Sequence, residues 1–279
     1  MLFELRGRPR SPGLLVRLAP AAALTVLALT AVVTSAQQRG MPRGYVPYCY
    51  EPDECPRTPY DGRFTFVRVY FDTRGGYGGF RGGREPLWHH DRPNAERNLS
   101  SIMREVSLTR TFDGPTGGNV FALDDPEMFR YPVLWLAEAG FWQPTDDEVE
   151  QLRAYLLKGG FMIFDDFSGR DMYHLVAQLQ RVLPELQPIR MTGEEPIFKA
   201  FFDIELDQLA INQGRRGQAP DYWGLFEDND PTKRQLVIMN NNNDIGEYID
   251  YDATGFFPVD LANEAYKLGV NYMIYALTH

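Results

Sequence analysis

Gly159-Gly160-Phe161-Met162-Ile163-Phe164-Asp165-Asp166-Phe167-Ser168-Gly169 is the stretch that decides the fold. A Gly-Gly stop precedes a short apolar run, two carboxylates follow, and a small-residue turn opens the next helix. A buried parallel strand reads this way when its C-terminal end opens onto a site. In open α/β sheets ligands bind at such ends, so Asp165, Asp166 and Ser168 become candidate pocket residues, together with Asp91, Glu138 and Asp244 near the ends of other strands.

Upstream, Thr145-Asp146-Asp147-Glu148 is a capping box with acids at the positive end of a helix dipole, and the helix it opens runs to Lys158. Before it, Tyr131 to Ala137 is a strand that ends at Glu138, and Asn119 to Leu123 is a shorter one. Asp124-Asp125-Pro126-Glu127 between them starts a helical turn. Phe64 to Phe71, β-branched and aromatic throughout, is the first strand. A helix after Pro93 places Leu99, Ile102, Met103 and Val106 on one stripe, and Asp91 just ahead of it reads as its cap. Downstream, Ser168 caps a helix whose stripe is Met172, Leu175, Val176, Leu179 and Leu183, with His174 as a structural member. Leu186 to Met191 is an edge strand, since Pro188 cannot donate to a ladder. Residues 194–234 read as an irregular insertion with an aromatic cluster around Tyr222 and Trp223, a candidate lid. Gln235 to Met239 is the last strand, Asn240 to Tyr248 a polar surface loop, and Pro258 to His279 a terminal helix.

Strands alternating with helices predict a mostly parallel sheet covered on both faces, a three-layer α/β sandwich. The chain has 279 residues, 44% of them hydrophobic, which suits one such domain plus extensions. Residues 1–36 read as a secretory signal: Arg6, Arg8, Arg10 and Arg17, then an apolar run from Leu18 to Val33, then Thr34-Ser35-Ala36 for cleavage. The run is shorter than the roughly 20 residues a spanning helix prefers, which makes an uncleaved anchor the alternative. Residues 37–62 are a Pro- and Tyr-rich linker, and residues 63–279 the α/β domain. The expected location is periplasmic or secreted. A net charge of −10 argues against nucleic acid and anionic membrane as partners. Export makes a local Cys49–Cys55 disulfide the favoured fate of the only two cysteines, over a metal site or a nucleophile.

Two further clusters carry possible chemistry. Arg74 to Arg84 matches no phosphate-loop or dinucleotide spacing. It reads as a flexible loop, with an anion-binding flap built on Arg74, Arg81 and Arg84 as the functional alternative. His89 and His90 could bind metal if both turned toward one ion; solvated or aromatic-packed histidines are the simpler reading.

The stretches Trp88 through Pro93, Tyr131-Pro132, and Leu152-Arg153-Ala154-Tyr155-Leu156 running into Gly159-Gly160 and Asp165-Asp166 resemble a bacterial family of unknown function, DUF4159. So do Pro196, the Gly224 segment ahead of Leu236-Val237-Ile238, and Asp244-Ile245-Gly246. The same holds for Ala265 through Tyr272 with Tyr275-Ala276-Leu277-Thr278. The resemblance runs from Phe64 to His279 and implies a flavodoxin-like, class I glutamine amidotransferase-like fold. It implies no activity. An amidotransferase needs a cysteine on the strand-to-helix turn and a histidine–carboxylate pair beside it. Both cysteines precede the first core strand, and after His174 the only histidine is His279.

Three functions remain open. The leading one is a non-catalytic envelope module that binds a ligand or protein partner without a cofactor. The second is a metal-assisted hydrolase holding a divalent cation with Asp91, His89 or His90, Asp165, Asp166 and Asp244. The third is a structural subunit of an envelope assembly.

Overall fold

The computed structural model describes Cys49, Cys55 and residues 57–72, 86–209 and 218–279. The expected signal, most of the linker, and the Arg74, Arg81 and Arg84 loop lie outside the described residues.

Among the described residues seven strands form one sheet in the order β2-β1-β3-β4-β7-β6-β5. They are β1 Phe66–Val69, β2 Gly118–Phe121, β3 Val133–Leu136, β4 Phe161–Phe167, β5 Ile189–Arg190, β6 Asp221–Phe226 and β7 Gln235–Asn241. The run from β2 to β7 is parallel, whereas β6 is antiparallel to both β7 and β5. The fold is therefore mixed α/β with a mostly parallel sheet.

Among the described residues five α-helices flank it: α1 Asn94–Val106, α2 Asp146–Leu157, α3 Asp171–Val182, α4 Ile245–Asp250 and α5 Val259–Thr278. Strand alternation sorts the core into two layers. Met162, Phe164, Val237 and Met239 pack with Leu152 and Leu156 of α2 and Leu175 and Leu179 of α3. Phe161, Ile163 and Ile238 face the other way, against Leu99 and Met103 of α1, Ile249 of α4 and Leu268 of α5. Burying each such side chain contributes about 1.5–3 kcal/mol, so β4, buried along its whole length, anchors both layers.

The capping box forms: Glu148 N–H donates to Thr145 Oγ1 at 3.2 Å, and Thr145 N–H to Glu148 Oε2 at 2.8 Å. Gly159, at φ +110°, takes the left-handed turn that ends α2 and feeds β4. Among the described residues no helix is long and apolar enough to cross a membrane.

Four expectations change. The segment around Tyr222 is strand β6 and not a lid: its six residues pair with β7, which covers an edge that would otherwise expose a hydrophobic ladder. Asn240 to Asp244 is buried strand end and helix start, not a polar surface loop. The α1 stripe is Ala95, Glu96, Leu99, Ser100 and Met103, and Val106 is exposed because the helix ends there, beyond the sheet's cover. Helix α3 begins at Asp171 without a side-chain cap, so Ser168 does not cap it; instead Asp171 Oδ2 accepts from the Ser168 N–H at 3.4 Å.

Candidate functional site

The site lies where the parallel strands end. β4 does not stop before its acids but runs through them, and its register with β7 shifts between Phe164 and Phe167. Asp166 sits in that irregularity with φ +55°. The extra residue breaks the simple alternation that would send Asp165 and Asp166 to opposite faces.

Asp165 is fully buried and fully engaged. Its Oδ1 accepts from Asn240 Nδ2 at 3.0 Å and its Oδ2 from the Gly246 N–H at 2.9 Å. Tyr272 donates in turn to Asn240 Oδ1 at 3.0 Å. Burial first, then the Asp244 charge, push its carboxyl up to about 7, against the opposing hydrogen bonds. Asp165 thus ties β4 to β7 and α4 and lines no open pocket.

Asp166 turns elsewhere. His90 follows a 3-10 turn, Leu87–His89, beyond β1, and Glu138 follows β3. His90 Nδ1 stands 2.9 Å from Glu138 Oε1 and 3.7 Å from Asp166 Oδ2. Burial alone would lower its pKa; the hydrogen bonds to Asp166 and Glu138 outweigh that and raise it to about 10. The two carboxylates thus favour the protonated ring as long as no cation takes its place.

Asp91 is not a helix cap. Pro93 holds that position without a side-chain bond, and only the Asp91 carbonyl meets α1, accepting from the Ala95 N–H at 2.9 Å. Its carboxylate turns toward the strand ends, and Oδ2 is shielded from solvent and makes no hydrogen bond among the described residues. It lies against Gly246, where an added Cβ would fall 2.4 Å from Oδ2. Burial first, then the charges of Asp244 and Asp166, raise its pKa well above the usual carboxylate range. Asp244 caps α4, its Oδ1 accepting from the Glu247 N–H at 3.0 Å.

Among the described residues two sets bring one ligand atom from each member within 4.8 Å of the others: Asp91, Asp166 and Asp244, and His90, Glu138 and Asp166. Ligands of one ion can stand no further apart than about twice a metal–oxygen bond of 2.0–2.6 Å, so both sets have the span a cation needs. Asp91, Glu138 and Asp166 all hold left-handed backbone, at φ +66°, +55° and +55°. Such conformations cost about 1–3 kcal/mol each and cluster at functional sites.

His89 joins neither set; it is 2% exposed and packs edge-on against Trp88 at 5.2 Å. Ser168 joins neither. His174 meets the Trp142 carbonyl at 2.7 Å. Cys49 and Cys55 form a buried disulfide, and Arg92 Nη1 donates to Cys49 Sγ at 3.3 Å. Behind Asp91, Arg68 of β1 and Glu96 of α1 form a fully buried ion pair at 2.8 Å. A surface cavity of about 670 Å³ lies apart from all of this, at the C-terminal end of α1 beside Leu108 and Phe201. Asp91 precedes the other end, roughly 20 Å away along the helix.

The family model described as a domain of unknown function, DUF4159, matches residues 76–277, well over half of the chain. The chain belongs to the DUF4159 family. No curated protein matches it. Three stretches that carry the resemblance, Trp88–Pro93, Asp165–Asp166 and Asp244–Gly246, are the ones that meet at this site of the DUF4159 domain.

Sequence reasoning named both acids of β4, and that strand alternation sends such neighbours opposite ways, but it missed the pairing of Glu138 with His90. The signal was an acid at the C-terminal end of β4 and another just past β3, beside a His-Asp pair beyond β1.

Proposed function

We propose that this DUF4159 domain is an exported module that binds its ligand through a divalent cation held at the C-terminal ends of the parallel strands. One observation carries the reading: Asp91, Asp166 and Asp244, from three separate segments, bring oxygens within 4.8 Å of one another in a largely buried space. Several carboxylates buried together are balanced by protons, by basic side chains or by a counter-cation, and three oxygens this close suit the last. An all-oxygen set suits Mg²⁺, Ca²⁺ or Mn²⁺. The cation then presents its remaining coordination positions to a ligand rich in oxygen.

The order β2-β1-β3-β4-β7 runs in the sense of the flavodoxin-like order 2-1-3-4-5, with β5 and β6 added after β4, and this supports a flavodoxin-like ancestry. Export rests on the basic, apolar and small-residue segments of residues 1–36. A second reading, metal-assisted hydrolysis, is favoured by the His90–Glu138 pair. Glu138 engages Nδ1, which leaves Nε2 for proton transfer to or from a cation-bound water.

The test is metal analysis of protein purified without chelator, with melting followed while Ca²⁺, Mg²⁺, Mn²⁺ and Zn²⁺ are added in turn. At 100 times the dissociation constant, binding to the folded state alone adds about 2.7 kcal/mol, and Asp91→Asn removes most of that gain. Absence of any ion, together with melting that none of the four cations shifts, refutes the proposal.

A further inference from the structure

Asp166 belongs to both donor sets, and the five side chains do not close as one. Only the two triads satisfy the 4.8 Å limit, so a single ion cannot take all five ligands. We infer that the strand ends hold two cations bridged by the Asp166 carboxylate, one completed by Asp91 and Asp244 and the other by His90 and Glu138. The inference rests on the cation reading above and deepens it.

Two features beyond the number of acids support it. Asp91 Oδ2 is shielded from solvent, makes no hydrogen bond among the described residues, and is seated against a residue with no side chain. The second triad contains an imidazole, so it is a mixed nitrogen–oxygen set and not a further acidic patch. The two positions differ in chemistry. The carboxylate triad suits a hard ion, whereas the His90 triad also accepts Mn²⁺ or Zn²⁺.

Ions that share a carboxylate stand about 3.5–4 Å apart, a spacing that lets two oxygens of one tetrahedral oxyanion bind one ion each. The ligand class is therefore a phosphate-like oxyanion or its ester. The His90 side chain is 19% exposed against 2% for Asp166, so an incoming anion meets the His90 ion first.

Mn²⁺ is the probe, added to the full chain and read by equilibrium dialysis and electron paramagnetic resonance. Wild type should bind two ions per chain with a spin-coupled spectrum. Asp244→Asn and Glu138→Gln should each bind one, uncoupled. Asp166→Asn should weaken both ions at least tenfold. These isosteres keep the local shape, because Asn is tolerated in left-handed backbone and is a good helix cap, and circular dichroism checks the fold. Inorganic phosphate should be retained by the Mn²⁺-loaded wild type and lost from both single-ion variants.

One ion per chain with Glu138→Gln within twofold of wild type overturns the bridge, as do two uncoupled ions of which Asp166→Asn affects one. Phosphate held equally by Glu138→Gln overturns the ligand class. No ion at all overturns the cation reading itself, and the bridge with it.

Discussion

The buried Arg68–Glu96 pair should be expensive to break and nearly free to remove. Both side chains are sealed, at 0% and 1% exposure, and Arg68 Nε and Nη2 reach the same oxygen, Glu96 Oε1, at 2.9 and 2.8 Å. Glu96 Oε2 and Arg68 Nη1 make no hydrogen bond among the described residues, so the pair is incompletely satisfied. Deleting one partner of such a pair strands a charge and costs about 3–5 kcal/mol, whereas replacing both with apolar groups of similar volume is often neutral or stabilising. Arg68→Met and Glu96→Leu should therefore each lower stability by about 3–5 kcal/mol. At about 2–4 °C per kcal/mol for a domain of this size, that is a fall of roughly 6–20 °C in Tm. The double variant should return to within about 1 kcal/mol of the parent. Glu96→Leu should be the worse single change, because Arg92 is also close: its pKa is lowered first by burial, raised by Glu96 and lowered by Arg68. Losing the acid leaves two cations facing each other. Urea melts followed by tryptophan fluorescence give all four corners of the cycle. The reasoning fails if either single change costs less than about 1 kcal/mol, or if the double variant loses the sum of the two.

Two other expectations concern solution conditions and the strap. In the presence of chelator, stability should fall as pH rises from about 4 to 10. Asp165, raised to about 7, binds its proton in the folded state across the window where the unfolded chain has lost it, and His90, raised to about 10, does the same from about 6.5 upward. Melting temperatures that climb with pH over that range would contradict it. Replacing both Cys49 and Cys55 with Ser closes no loop in the unfolded chain and should cost about 2 kcal/mol for so short a span, read as a lower urea midpoint. An unchanged midpoint would show that the Cys49–Cys55 bridge contributes nothing to the domain's stability.

Much of the architecture was legible because local and tertiary preferences agree. Thr145-Asp146-Asp147-Glu148 satisfies its own helix end, and Phe161 to Phe164 is apolar on both faces because helices cover both. The failures have physical causes. Tyr222-Trp223-Gly224-Leu225-Phe226 is a strand whose neighbour is close in sequence but antiparallel, and an expectation of parallel pairing hides it. Asn240 to Asn243 look solvated, yet their side chains are spent on Asp165, Asp221, Gly169 and Tyr222 inside the fold. Asp165 and Asp166 are alike in sequence. Their different fates come from the partners the assembled fold brings to them, Asn240 and the Gly246 N–H for one and His90 for the other, and residue type does not reveal those. The nearness of His90 to Glu138 comes from the β1–β3 pairing, which only the assembled sheet supplies.

The left-handed backbone at positions 91, 138 and 166 bears on how this chain could be engineered. Glycine would relax each of those kinks, so a search for sturdier variants by heat alone would drift toward Gly there. Every such success would strip an oxygen donor from the crest. Under the proposed cation reading, thermal resilience and ligand capture are set against each other at the same three residues, and screening for one without monitoring the other would yield a robust, empty shell.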